Sequence, residues 1–354
     1  MLSPAKVKEK ILMALSARKL IERGWLSALL GYLAKKDELK VRLKYIGDVT
    51  LRRTDFGALA ILTYYVTTRC QPDLPEDLAR AAGHLLKLRQ EAPPLLMTSL
   101  SLTSYACKQQ SLGYRASVKV GPEKVSLEVN GASVAFNPNC VNIGSLIETF
   151  AEGEYEVPEV LSGLKGRDVI DVGASVGDTA LYFILNGARK VIAVEPLPNV
   201  AKCAEENIRL SAVADRIKVV NAALSNEPVS VPCNTDTWSS GGFSTLKSSG
   251  PCRVPGVTIS DLLNMVEDPY LLKVDCEGCE AQVILGPERE KLRAFEHIIF
   301  ETHPHITGVS DEKLLTSLKE LGLKCKLHMV HDPKLGVNIY HCENSKPRQP
   351  NGAF

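Results

Sequence analysis

The chain reads Asp168-Val-Ile-Asp-Val-Gly-Ala-Ser-Val-Gly177 and then, after a helical stretch, Val194-Glu195-Pro196. An apolar strand runs into a glycine turn, a helix follows, and a second apolar strand ends in an acid. That order is a β-α-β unit, which binds nucleoside-containing cofactors at the carboxyl ends of its strands. Asp171 narrows the cofactor. It stands at the strand end, where dinucleotide-binding chains usually carry an apolar residue or glycine. A carboxylate there suits a cationic amino group, and S-adenosylmethionine (SAM) carries one, so SAM is favoured over NAD. Glu195 lies 18 residues beyond Gly177, near the spacing at which an acid accepts hydrogen bonds from ribose hydroxyls. Gly173 and Gly177 leave out Cβ atoms where ligand and helix approach the turn.

The 354 residues allow two domains, and 45% hydrophobic with 23% charged residues is the composition of a globular chain with a sizeable core. The longest apolar stretches, 56–66 and 95–106, are broken by polar residues and too short to span a bilayer. No charged-then-apolar leader with a small-residue cleavage site opens the chain, and a cytoplasmic protein is expected. Net charge is +1 but uneven: residues 1–53 carry 13 Lys/Arg against 5 Asp/Glu, a surplus of +8, and the remainder is −7. A basic arm of this kind either presents solvated helix faces or meets an anionic partner such as RNA or a membrane surface. In a cytosolic chain the ten cysteines are expected to serve as small buried residues rather than disulfides. Cys276-Glu-Gly-Cys279 has the spacing of a zinc or redox pair, but no second pair or nearby histidines complete four ligands, so no metal site is expected. Cys233 and Cys252 flank a polar loop and would bridge in a hyperthermophile.

Ser3-Pro4 marks a helix start, and helical segments are expected at 24–36, 55–67 and 75–90. Val118 and Val120, then Val125, Leu127 and Val129, alternate with polar residues. Asn130-Gly131 separates them from Ala132–Phe136, which predicts a hairpin. The chain therefore divides into a helical N-terminal region over 1–110, basic at its start, and a small antiparallel β element over 111–144. Strands alternating with helices follow over 145–342, and a polar tail closes the chain at 343–354. Strands are expected at 168–172, 190–194, 217–221, 270–275 and 296–301, with two more at 324–330 and 337–342. Alternation of this kind predicts a parallel sheet covered on both faces, with an antiparallel addition at one edge. Residues 225–256 are rich in Ser, Thr, Gly and Pro, and Trp238 and Phe243 suit a lid over a ligand. Glu267-Asp-Pro-Tyr270 is like an amino-methyltransferase signature, but it precedes a strand instead of ending one and is discounted.

Several blocks together resemble the FkbM-type family of SAM-dependent methyltransferases. They are Asp171–Gly177, Val194-Glu-Pro196, Val220-Asn-Ala-Ala-Leu-Ser225, Val257–Leu263, Leu272-Lys-Val-Asp-Cys-Glu-Gly-Cys-Glu280 and Phe300-Glu-Thr-His303. The Lys273-x-Asp275-x-Glu277-Gly278-x-Glu280 block is the most specific. Coverage is about 145–342. Cys276 and Cys279 stand where the family often has Val and Ala, which favours the packing reading of that pair. Ser260 stands where Asp is common and suits a helix cap.

The resemblance implies a Rossmann-like, seven-stranded methyltransferase sheet and, as usual chemistry, methyl transfer to oxygen. It leaves glycan, lipid and small-molecule acceptors open. SAM is expected to meet Asp171 through its amino group, directly or through water, and Gly173, Ala174 and Ser175 along its amino-acid portion. Gly177 opens the helix behind it. Glu195 is expected at the ribose with Pro196 restraining the turn, and Asn221, Ala222 and Ala223 near the adenine. Asp275 is the first candidate for general base, with Glu277 and His303 beside it; Glu280 is expected to pair with Lys273. Two other readings stay open: an RNA methyltransferase using the basic arm, and a non-catalytic partner-binding protein with a vestigial SAM site. The N-terminal helices also suit a homo-oligomer interface.

Overall fold

The computed structural model describes residues 4–70, 92–121, 123–211, 213–237, 243–247 and 249–344. They pack as two compact units, Met1–Gly153 and Glu154–Phe354.

The first unit contains helices α1 (Pro4–Ser16), α2 (Trp25–Leu33) and α3 (Arg53–Arg69), and a long helix over Ala92–Ser111. It is not purely helical. Strands β1 (Ile21–Arg23), β2 (Glu38–Leu43) and β3 (Gly47–Arg52) form an antiparallel sheet of three strands, which corrects the expectation of a helical region across 1–110. The reason lies in β2, where Leu39, Val41 and Leu43 are buried while Glu38, Lys40 and Arg42 are exposed. A period of two buries one face only when the segment pairs as a strand. The helix expected at 75–90 lies outside the described residues. Strands β4 (Ala116–Val120), β5 (Val125–Val129) and β6 (Ala132–Phe136) form a meander. Asn130 and Gly131 both take left-handed backbone, φ 52° and 89°, between β5 and β6, as an Asn-Gly hairpin requires.

In the second unit, β7 (Asp168–Val172), β8 (Lys190–Val194) and β9 (Ile217–Val220) alternate with helices Asp178–Leu185 and Pro198–Leu210. Two short pairings follow: β10 (Ala223–Leu224) runs parallel to β13 (Gly256–Val257), and β11 (Val229–Val231) antiparallel to β12 (Cys252–Val254). Then come β14 (Pro269–Val274), helix Cys279–Leu285, β15 (His297–Glu301), helix Asp311–Glu320, β16 (Leu323–Asp332) and β17 (Val337–Asn344). The main sheet has seven strands in the order β16-β17-β15-β14-β7-β8-β9. Strands β9 to β15 in that order are parallel, and β17 is antiparallel to both β15 and β16. Glu343 and Asn344, expected in the tail, complete β17, and 345–354 lie outside the described residues.

Every residue of β7, β14 and β15 is buried, because helices cover both faces. On one face Ile170, Ile192, Leu272 and Phe300 pack with Leu262, Ile284, Leu314 and Leu318. Each such side chain contributes about 1.5–3 kcal/mol as an upper estimate. The amino end of the sheet is pinned by Asp168. Its carboxylate takes Nε and Nη2 of Arg189 at 2.8 and 2.7 Å and accepts the backbone N–H groups of Glu267 and Asp268. The chain starts at the centre with β7, winds out through β8 and β9, and returns on the other flank with β14. The carboxyl ends of β7 and β14 therefore meet at the switch point, where such sheets bind ligands.

Cys233 and Cys252 bridge across the polar loop they flank, while the other cysteines depart from the expectation of small buried residues. Cys70–Cys107, Cys233–Cys252, Cys276–Cys279 and Cys325–Cys342 are disulfides, Cys140 and Cys203 are also disulfide-bonded, and no cysteine is free. The fold creates the pairs: Cys325 and Cys342 are register partners on β16 and β17, and Cys252 lies opposite Val231 in the β11–β12 hairpin. Among the described residues no helix is long and apolar enough to cross a membrane.

Candidate active site at the carboxyl ends of the parallel strands

The turn after β7 is built for close approach. Gly173 has φ +80°, and a Cβ added there would stand 1.6 Å from the Asp275 carbonyl oxygen, so no side chain fits. The N–H groups of Gly173 and Ala174 both donate to Val194 O at 3.0 Å, tying the turn to the end of β8. Gly177, φ +82°, precedes the helix, and its missing Cβ would touch Ala204 of helix Pro198–Leu210 at 3.3 Å. Between them Ser175 is left-handed at φ 46° and donates its N–H to Glu195 Oε2 at 3.0 Å.

Glu195 is 6% exposed, and its other oxygen accepts the Leu197 N–H at 2.9 Å. Burial pushes the carboxyl up to about 7, against the opposing pull of the Leu197 and Ser175 N–H donors. A carboxylate with two backbone donors keeps acceptor capacity for a pair of vicinal hydroxyls. Asn221 Nδ2 donates to Glu195 O and Pro196 O at 2.8 and 3.1 Å, which locks the ends of β8 and β9 together. Ala222 and Ala223 are buried in apolar clusters beside it.

Asp171 is fully buried and committed. It accepts the Thr179 hydroxyl, and its Oδ1 lies 3.2 Å from Lys273 Nζ, its register partner on β14. Asp171 thus meets a cation supplied from within the sheet. Lys273 is 1% exposed, donates to Gly173 O at 2.8 Å and lies 3.6 Å from Asp275 Oδ2.

A second cluster gathers beyond β14 and β15. Asp275 accepts the Tyr155 hydroxyl at 2.9 Å. Burial alone would raise its carboxyl, but the charges of Lys273 and His303, with hydrogen bonds from Glu301 and Tyr155, hold it at about 2. Glu277 follows in a left-handed turn, φ 54°, with Gly278 at φ 116°, and the Cys276–Cys279 disulfide closes that turn. Burial pushes Glu277 up to about 7 despite the nearby His303. His303 is 3% exposed; its Nε2 stands 3.3 Å from both Glu277 Oε2 and Glu301 Oε2, and its Nδ1 3.3 Å from Glu280 Oε1. Burial opposes its charge, yet hydrogen bonds to Glu280 and Glu301 and the charge of Asp275 raise it to about 11, so it is an imidazolium. Glu280 accepts the N–H groups of Gly278 and His303 at 2.9 and 3.0 Å and faces the His303 ring, where Lys273 was expected.

Ligand atoms of Asp275, Glu301 and His303 lie within 4.8 Å of one another, a spacing that a cation can span. Both ring nitrogens of His303 already face carboxylates, so the set is an imidazolium held by acids. The loop over 225–256 reaches this cluster. A Cβ on Gly278 would meet Leu246 Cδ1 at 2.9 Å, Lys247 Nζ donates to His305 O at 2.8 Å, and Phe243 packs on the cluster of Val176, Leu197 and Val200. Trp238 lies outside the described residues. An open cavity of about 420 Å³ between Leu224–Glu227 and Gln282–Glu288 holds none of these candidate residues.

The site thus joins Gly173, Ser175 and Glu195 on one side with Lys273, Asp275, Glu277 and His303 on the other. Tyr155 and Glu301 were not singled out from sequence. Glu301 ends β15 two residues before His303, inside the Phe300–His303 block. Tyr155 lies 120 residues before Asp275 and gives none.

Residues 171–325 match the family model described as the methyltransferase FkbM domain. No curated protein matches the chain. Solved structures of low similarity include precorrin-6y C5,15-methyltransferase from Geobacter metallireducens GS-15, with 15% identity and TM-score 0.33, covering 53% of this chain and 87% of that one. A putative tRNA (m1A22) methyltransferase from Streptococcus pneumoniae in complex with SAM has 15% identity and TM-score 0.34, covering 54% and 72%. Magnesium protoporphyrin IX methyltransferase from Synechocystis PCC 6803 with bound SAM has 12% identity and TM-score 0.34, covering 56% and 83%.

Proposed function

We propose that the chain is an SAM-dependent methyltransferase of the FkbM type, on the match of residues 171–325 to that family model, and that it methylates a hydroxyl of a glycan, lipid or small-molecule acceptor. SAM fits the residues present: Glu195, held by the Ser175 and Leu197 N–H groups, retains acceptor capacity for the ribose hydroxyls. Gly173, Ala174 and Ser175 would line its amino-acid portion, Glu195 and Pro196 its ribose, and Asn221, Ala222 and Ala223 the adenine side.

Bound SAM supplies a methyl group already activated on a sulfonium, so the chain's tasks are alignment, exclusion of water and proton removal. One observation carries the hydroxyl reading. Two neighbouring carboxyls are split in basicity, Asp275 held at about 2 and Glu277 raised to about 7. Such a split separates roles. Asp275, always ionised, accepts the acceptor's O–H and orients it. Glu277, matched to neutral pH, takes the proton as the oxygen–methyl bond forms and the sulfur–methyl bond breaks, releasing S-adenosylhomocysteine. His303, held by Glu280 and Glu301, stays charged and positions the Glu277 carboxylate, which its Nε2 faces at 3.3 Å. A vestigial site is disfavoured by this intact set of acids. The disulfides bear on location: ten oxidised cysteines fit a cytoplasmic protein only in a hyperthermophile, and otherwise an oxidising compartment.

The test is transfer of label from methyl-labelled SAM into a fractionated extract of the source organism, followed by ribonuclease. Label that resists ribonuclease and travels with glycan, lipid or metabolite fractions supports the reading. Label released by ribonuclease makes the acceptor RNA and overturns it.

A further inference from the structure

We propose that α2 and the end of α1 form a docking surface for an anionic phospholipid bilayer. Helix α2 reads Trp25-Leu-Ser-Ala-Leu-Leu-Gly-Tyr-Leu33. Its inner side is set by Ala28 and Gly31, both buried; a Cβ on Gly31 would stand 2.6 Å from Leu39 Cδ2 of β2. The other side carries Leu26, Leu30 and Leu33 at i, i+4 and i+7, exposed by 60%, 58% and 68%. Ile11, Leu12 and Leu15 of α1 are exposed as well. The two helices are clamped by Trp25, whose Nε1 donates to Ala14 O at 3.0 Å while the Arg18 guanidinium sits 5.2 Å from its ring centroid. Of the thirteen large apolar side chains exposed among the described residues, seven fall between residues 11 and 45. That concentration marks an interaction surface.

Charge selects the occupant. Between residues 18 and 40, Arg18, Lys19, Arg23, Lys35, Lys36 and Lys40 are exposed, against the exposed acids Glu22, Asp37 and Glu38, within the segment of net charge +8. A second copy docking through the same stripe would bring these cations against themselves. Nucleic acid would use the cations and leave the leucines in water. A bilayer interface takes both, the aliphatic chains among the acyl tails and the cations at the phosphates. Nine residues make a helix of about 13 Å, too short to span and suited to lying in the interface plane.

The test is co-sedimentation of the full chain with phosphatidylcholine vesicles with and without phosphatidylglycerol, alongside Trp fluorescence. The wild type should bind the anionic vesicles, less tightly as salt rises, with a blue shift. Leu26→Glu with Leu30→Glu should weaken binding by roughly tenfold or more. Lys35→Glu with Lys36→Glu should weaken it by roughly fivefold or more for each lost charge. Leu30→Gln, a milder change on an exposed face, serves if the double variant misfolds, and should also weaken binding. The proposal is overturned by a wild type that ignores anionic vesicles, or by binding that both leucine variants retain. It is equally overturned by a dimer in sedimentation velocity that Leu30→Gln dissolves, or by RNA binding without vesicle binding. None of these outcomes touches the methyl-transfer reading.

Discussion

Replacing Lys273 with methionine tests the account of the sheet interior most severely. Lys273 and Asp171 are 1% and 0% exposed, paired at 3.2 Å across the β14–β7 ladder. Lys273→Met keeps the volume but leaves the Asp171 carboxylate buried, with the Thr179 hydroxyl as its remaining hydrogen-bond donor among the described residues. Removing one member of such a pair costs about 3–5 kcal/mol, because the other charge stays out of water. Asp275 suffers less, since it keeps Tyr155 and His303. Adding Asp171→Asn removes the stranded charge, so the double variant should recover about 2 kcal/mol or more. Because the chain has two compact units, global unfolding would blur the effect. Native-state hydrogen exchange at the β7 and β14 amides reads this sheet alone. Protection there should fall a few hundred-fold to a few thousand-fold in Lys273→Met and be largely restored in the double variant. A single variant costing under about 1 kcal/mol, or strictly additive effects, would refute the reasoning.

Other consequences are sharper for function. Glu277→Gln should leave SAM affinity unchanged and lower kcat by about 10²- to 10⁴-fold. In the wild type kcat at saturating SAM, where binding through Glu195 no longer limits, should rise as pH passes through about 7 as Glu277 loses its proton, and Glu277→Gln should lack that limb. Asp275, at about 2, adds no limb near neutrality; a profile unchanged by Glu277→Gln would remove the base assignment. Glu195→Ala should weaken SAM binding by about tenfold or more, since about 1.5–3 kcal/mol rests on a hydrogen bond to a charged group; titration calorimetry showing an unchanged Kd would discard it. Alkylation of the denatured, non-reduced protein should add no mass, because no cysteine is free; adducts at the ten cysteines would restore the reading of them as packing residues.

The catalytic half was legible because its signals are local. Asp168–Val172 and Cys279–Leu285 fall where apolar runs meet glycines, and the carboxyl ends of the strands follow from parallel topology alone. What the sequence hid depends on pairing. Asp171 and Lys273 lie far apart in sequence, and without the β7–β14 register Asp171 reads as a free acid waiting for a ligand cation. The cysteines read as packing residues until the β16–β17 register sets Cys325 against Cys342. In Glu38–Leu43 the alternation was present, but the intervening charges resemble a solvated helix face when no partner strand is known. Tyr155 reaches Asp275 only through the fold.

The central claim is transfer of a methyl group to oxygen under the control of the Asp275–Glu277 pair. The most direct measurement supplies carbon-13 methyl SAM to the full chain with extract of the source organism and reads the atom that bears the label by NMR. The account predicts a methyl carbon bonded to oxygen, formed by the wild type and strongly reduced in Glu277→Gln. A methyl bonded to nitrogen or carbon, or an oxygen-bonded product formed equally well by Glu277→Gln, would contradict it.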